Sequence, residues 1–314
     1  MPSLSLLDLT KLRGHSREVG LIESVVTAAP ELGVIPGRTI RGTSYKTVDR
    51  TALPTTGFTH ANEGIAPGKS SFAMKLVECF IFRGAINVDK AVAMDHEDGP
   101  AVLQRIEAEG VGRSAGIEIG KQIYYGTAED TKGFPGLREL CPAAMRVDAT
   151  GSTADSATSV YAVKFGPQFV QMIYGGNSTL QLPPFREQSV TDAAGGQYDA
   201  YVSNLTAWVG LQCVHPYAIG RICNLTVQNG KGLTDSLLAD LLAKFPVGFT
   251  PDALFMSRQS RTQLQKSRTV VLQGNGKAGD VGSAMGLVAP IPTEAFGIPI
   301  VTTDNILNTE AIVA

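Results

Sequence analysis

Little in this sequence invites a cross-link or a redox site. Its 314 residues hold four cysteines, Cys79, Cys141, Cys213 and Cys223, with no Cys-x-x-Cys pair among them. That excludes a zinc ribbon or a dithiol motif. Cys213 and Cys223 could lie on neighbouring strands, but reduced core thiols are the expectation for a chain made in a cytoplasm. Long apolar runs are missing too. No stretch of 18 uncharged apolar residues occurs, so no membrane span is expected. The opening leucines are interrupted by Asp8 and followed by Lys11 and Arg13, which is not the order of a secretory signal. Charge is scarce, at 18% against roughly 25% in an average soluble domain. Its 27 basic and 29 acidic residues leave a net charge of −2, which speaks against a basic nucleic-acid reader.

What is present is a globular composition. Hydrophobic residues make up 43% of the chain, with 34 glycines and 17 prolines. Such a chain is not disordered, and its glycines follow no collagen triplet.

The order of elements follows from periodicity. Residues 1 to about 40 form a leading arm, with a short helix through Leu21, Ile22, Val25 and Val26 that Pro30 ends. Thr43 to Thr51 has strand composition but is apolar on neither face. Asn62 to Gly68 is a turn cluster. Ser70 to Asp89 alternates, with Phe72, Met74, Leu76, Phe80 and Phe82 on one parity. Residues 43–88 therefore read as one long two-stranded ribbon. A ribbon alone is marginal in water, and nothing nearby in the sequence would cover it.

Asp89 to Gly126 reads as helix, interrupted at Asp98-Gly99-Pro100 and capped by Gly126. After a small-residue boundary at 151–160, the chain is β-rich to Val227. Thr234 and Ser257 are placed to cap two helices, the second carrying Arg258, Arg261, Lys266 and Arg268. Leu254-Phe255-Met256 is a short buried run, and residues 296–303 make a closing strand. This order is α+β, without regular βαβ units.

Chemical motifs fail on context. Gly274-Asn275-Gly276-Lys277-Ala278-Gly279 matches G-x-G-x-x-G, but Gly282, Gly286, Pro290 and Pro292 break the helix that a dinucleotide needs. Gly64 to Ser70 is one residue short of a phosphate-binding loop, and a strand follows it. Asp95-His96-Glu97-Asp98 points its side chains around a helix rather than toward one metal. His15, His60 and His215 are isolated, and there is no G-x-S-x-G elbow. No catalytic residue, metal site or cofactor is expected.

Several stretches, in order, carry a resemblance. They include Arg38-Thr39-Ile40-Arg41-Gly42-Thr43-Ser44-Tyr45-Lys46, Arg50-Thr51-Ala52-Leu53-Pro54-Thr55 and Asn62-Glu63-Gly64. Further along come Glu97-Asp98-Gly99-Pro100, Tyr124-Tyr125-Gly126-Thr127 and Lys132-Gly133-Phe134-Pro135-Gly136-Leu137. Pro251 to Arg258 and Pro292 to Ile300 complete the set. Together they resemble the major capsid proteins of tailed bacteriophages with the Hong Kong 97-type fold.

The resemblance implies an N-terminal arm (1–42), an extended loop (43–88) lying across a neighbouring subunit, a peripheral domain with a spine helix (89–150 plus 290–314) and an axial domain (151–289). It implies a tile that assembles with itself into hexamers and pentamers of an icosahedral head around double-stranded DNA. The head would form in the host cytoplasm, with portal and scaffold or decoration proteins as partners. Contact with DNA would be non-specific, and no membrane is involved. Loop residues expected at the inter-subunit contact are Tyr45, Lys46, Asp49, Arg50, Phe58, Asn62, Glu63 and Lys69. Lys46, Lys69 and Lys75 lie where some relatives cross-link, but no residue-level motif supports a cross-link here. The alternatives are a β-rich cement or tail protein and a nucleotide-binding enzyme.

Overall fold

A computed structural model describes residues 29–176, 182–268, 270–272, 285–287 and 289–313. The helix expected at Leu21–Val26 and the Gly274–Gly279 motif lie outside these residues. The chain runs α1 (Glu31–Val34), β1 (Gly37–Thr39), β2 (Ser44–Ala52), β3 (Ser71–Glu78), β4 (Phe80–Asp89), α2 (Lys90–Met94) and α3 (Pro100–Tyr125). It continues with α4 (Leu137–Leu140), β5 (Arg146–Asp148), β6 (Thr158–Val163), β7 (Val170–Tyr174), β8 (Arg186–Thr191), β9 (Gln197–Cys213) and β10 (Ile219–Leu225). It closes with α5 (Asp235–Ala243), β11 (Ala253–Met256), α6 (Arg258–Ser267), β12 (Val270–Leu272), β13 (Met285–Leu287), β14 (Glu294–Ala295) and β15 (Ile298–Thr302). The fold is α+β, as expected.

Two sheets organise it. In the first, β9 is the hub: β7 and β8 pair along it, β4 pairs over ten positions, and β1 extends β7. The second has the order β14-β15-β11-β6-β10-β5. Its central strands β6, β10 and β11 are buried throughout, because both faces are covered. One face, with Tyr161, Val163, Ile219 and Phe255, meets the end of α3 and the first sheet. The other, with Val160, Ala162, Leu254 and Met256, packs under Leu238 and Leu241 of α5 and Leu264 of α6.

Helix boundaries follow the sequence signals. Pro100 opens α3, and Gly126 ends it at φ +59°. Thr234 Oγ1 accepts from Leu237 N, and Ser257 Oγ accepts from Ser260 N. Burial along α3 is uneven. Its first half is mostly half-buried, with Leu103 fully buried against Ile86 and Val88, whereas Ile119, Ile123, Tyr124 and Tyr125 belong to the main core. Asp95–Glu97, expected as helix, join the expected break at Asp98 in a turn in which the buried His96 accepts from Asp98 N through Nδ1 at 3.2 Å.

Two expectations need correction. The ribbon does not extend over 43–88. It comprises β2 and β3 alone, paired from Ser44↔Glu78 to Ala52↔Ser71. The strand breaks at Cys79, because there the chain crosses β9: a Cβ on Gly210 would overlap the Glu78 carbonyl oxygen. Beyond the crossing, β4 belongs to the first sheet. Second, the ribbon is not wholly coverless. At its base, Tyr45 and Val77 pack on Ile173 and Trp208. Strand pairing also runs across the bounds of the expected peripheral and axial segments. β15 pairs with β11, while β7, β8 and β9 join β1 and β4, since strand pairing links residues far apart in sequence.

Candidate assembly surface

Strand alternation divides the ribbon into two unlike faces. The inner face carries Tyr45, Thr47, Asp49, Ala73, Lys75 and Val77. Side chains pin it to the rest of the molecule. The Tyr45 hydroxyl donates to Gln212 Oε1, and Lys75 Nζ donates to the Val214 carbonyl. Gln212 is buried. Its Oε1 also accepts from Gln171 Nε2 at 2.5 Å, and its Nε2 donates to Pro167 O at 2.6 Å. Burial pushes the Tyr45 phenol up from its ordinary pKa. Lys75 lies 3.8 Å from Asp49.

The outer face carries Lys46, Val48, Arg50, Phe72, Met74 and Leu76. Its apolar members face solvent: Val48 is 59% exposed, Phe72 60%, Met74 72% and Leu76 54%. Val48 pairs with Met74, Lys46 with Leu76 and Arg50 with Phe72, so the strip is continuous across both strands. The Arg50 guanidinium sits 5.4 Å over the Phe72 ring. A contiguous exposed apolar strip edged by cations marks a contact surface rather than a solvated one.

Beyond the strands, residues 53–69 are exposed throughout, with Leu53, Phe58 and Ile65 among them. Asn62 takes φ +70° in the turn where Glu63 Oε2 accepts from His60 N at 3.3 Å. Lys69 and Ser70 lead into strand β3, where a phosphate-binding loop would need a helix.

The structure thus separates the expected contact residues. Lys46 and Arg50 lie on the outer face, and Phe58, Asn62, Glu63 and Lys69 lie in the exposed loop. Tyr45 and Asp49 point inward and serve their own subunit. Val48, Phe72, Met74 and Leu76 were not among the expected contacts. The signal was the alternation itself, which marks an apolar face without telling whether its cover is the same chain.

Beside the ribbon base runs a groove of about 1060 Å³ between β4 and α3. Phe80, Phe82, Val111, Ala115 and Leu205 are among its apolar walls, and Glu118 and Asp130 stand among its charged groups with Arg83 and Lys132. Gly84 allows the close approach of strand and helix, since a Cβ there would lie 3.2 Å from Val111 Cγ1. Among the described residues, no group of three or more His, Cys, Asp or Glu side chains is arranged to hold a metal ion.

Comparison with known proteins gives three results. The family model described as "Major capsid protein GP7" matches residues 38–314. A chain in the cryo-EM structure of bacteriophage Epsilon15 superposes with a TM-score of 0.76 at 20% identity, covering 100% of this chain and 98% of that one. A chain of the bacteriophage JBD30 capsid gives a TM-score of 0.51 at 12% identity, covering 95% of this chain and 97% of that one. At these identities the structural matches show a shared fold. No curated protein sequence matches.

Proposed function

This chain belongs to the GP7 family of major capsid proteins, and from that premise we propose that it is a shell tile whose ribbon clasps the next copy through the outer face. Its role is structural, and its place is the virion. The reading is carried by the exposed strip Val48, Phe72, Met74 and Leu76 on a ribbon whose other face is pinned to its own subunit.

The acceptor we assign is the groove between β4 and α3 of a second copy. The ribbon cannot fold back into its own groove. Cys79 at its base is itself a groove wall, and Cys79 N is bonded to Thr43 O at 2.8 Å. A donor strip and a separate acceptor groove on one molecule make a heterologous contact, which repeats until a ring closes. Lys46 and Arg50 beside the strip suit Glu118 and Asp130 at the groove and would be repelled by Arg83 and Lys132 there, and charges of both signs set register and reject wrong partners.

Rings of six and five would build an icosahedral head around double-stranded DNA, assembled in the host cytoplasm. Portal, scaffold and decoration proteins are the remaining partners this role implies. No catalytic step is part of the reading. Within the tile, we place the periphery at the first sheet with α3, and the capsomer centre at the second sheet with α5 and α6. The residues before β1 act as the arm.

The test is a deletion of Asn62–Lys69, the far end of the extended loop. The variant should stay folded by circular dichroism and form no shells in negative-stain micrographs. Intact shells from it would overturn the reading.

A further inference from the structure

Glu31 is fully buried, where the entering segment crosses α3 and meets the C-terminal tail. Asn305 Nδ2 donates to Glu31 Oε1 at 2.5 Å. Both side chains fill the space left by Gly120 of α3, where an added Cβ would overlap them. One turn earlier, Ala29 Cβ would lie 3.7 Å from a Cβ on Gly116. The two ends of the described chain are therefore joined across one helix by a single carboxyl group.

That carboxyl has an unusual environment. Its Oε2 has no hydrogen-bond partner among the described residues. From the tail, Thr303 and Asn305 act on it as hydrogen-bond partners. From α3, the titratable group that interacts with it is Tyr124, whose own hydroxyl is buried with no hydrogen-bond partner among the described residues. Asp304, between the two tail residues, is turned to Arg258 instead, at 2.6 Å. No lysine, arginine or histidine among the described residues balances Glu31. An ionised carboxylate here would be sealed from water with no counter-charge among the described residues, which is costly.

We propose that Glu31, Gly120 and Asn305 form a proton-controlled clasp that ties the N-terminal segment to the C-terminal tail across α3, closed with a neutral carboxyl and loosened by a charged one. Burial pushes the Glu31 carboxyl up from its ordinary 4.5. An acid raised by folding contributes its stability in full below the unfolded value. It loses that contribution as pH rises from there through the folded value. The clasp therefore weakens with rising pH, beginning above 4.5. What it releases is α1, which is followed directly by β1 at the edge of the first sheet, together with the tail around Asn305.

Hydrogen exchange read by mass spectrometry on the full-length protein, over a pH series and corrected for intrinsic rates, tests this. Peptides covering Ala29–Pro36 and Thr303–Leu307 should lose protection together as pH rises, by tenfold or more, while β6 stays protected. In Glu31→Gln, which keeps the shape and cannot ionise, both peptides should hold constant protection. In Asn305→Asp, a second carboxyl in the same site should move the transition to higher pH. The proposal is overturned if the wild type shows no transition, if the two peptides open at different pH values, or if Glu31→Gln keeps the wild-type profile. An unmoved midpoint in Asn305→Asp overturns it as well, which covers the case of a poorly folded Glu31→Gln. Since the readout is local protection rather than shell formation, failure here leaves the ribbon reading untouched.

Discussion

Arg221 Nη2 and Glu310 Oε2 lie 2.9 Å apart, with their side chains only 1% and 2% exposed. Ser159 bridges them, donating to Glu310 Oε2 at 2.6 Å and accepting from Arg221. The Tyr125 hydroxyl donates to Glu310 Oε1 at 2.7 Å and accepts from Leu307 N at 2.8 Å. The tail is thus locked beneath β10 and the end of α3. A buried pair of this kind roughly balances its own desolvation, but either ion left alone does not. Glu310→Ala should cost about 3–5 kcal/mol in urea unfolding, and Arg221→Met/Glu310→Leu should recover much of that loss. A double variant as unstable as the single one would contradict this account.

The outer ribbon face should separate folding from assembly. Met74→Asp changes a side chain that is 72% exposed. Exposed substitutions usually stay within about 0.5 kcal/mol. The variant should melt with the wild type yet sediment only as unassembled subunits.

Gln212 holds the ribbon's inner face. Gln212→Ala leaves the Tyr45 hydroxyl and Gln171 without their acceptor. The expected loss is about 1–3 kcal/mol. Hydrogen exchange should rise in Ser44–Ala52 more than in β9, which reports freeing of the ribbon rather than general unfolding.

Gly210 marks the crossing of the chain over β9. Gly210→Ala places a methyl against the Glu78 carbonyl oxygen and should destabilise by about 1–3 kcal/mol in thermal unfolding. Ala at Gly33, where an added Cβ meets nothing within 4 Å, is the control and should leave the fold intact.

The thiols should be inert in the native state. Burial pushes Cys141 up to about 11 and Cys213 up to about 12, and it raises Cys79 and Cys223 as well. Thiolate, the reactive form, is therefore suppressed at pH 8. Iodoacetamide at that pH should label all four only after denaturation. Fast native labelling of Cys141 would count against the buried placement.

Local signals in the sequence carried the helices well. Pro100 and Gly126 bound α3, and Thr234 and Ser257 cap α5 and α6. The ribbon was legible from its alternation and its lack of a partner. Its end was not, because Cys79 looks like any strand residue until Gly210, 131 positions later, is brought beneath it. The same limit hid the inward turn of Tyr45 and Asp49. Their partners are Gln212, far along the chain, and Lys75, across a pairing register that the sequence does not state. The Arg221–Glu310 lock and the burial of Glu31 likewise depend on contacts across 89 and 274 positions.

The uneven burial of α3 has a mechanical consequence. A helix of 26 residues is about 39 Å long. Its C-terminal half is set in the main core like the root of a cantilever, and its N-terminal half rests on β4 through Leu103, Ala108 and Val111, which pack with Ile86 and Val88. Gly110 and Gly112, with nothing within 4 Å of an added Cβ, lie just before the root. Load on that lighter-packed half bends the helix near these two glycines first, and the packed residues Ile119 to Tyr125 keep their places. One rigid core can then meet neighbours at different tilts, as closure of a curved surface from identical units demands.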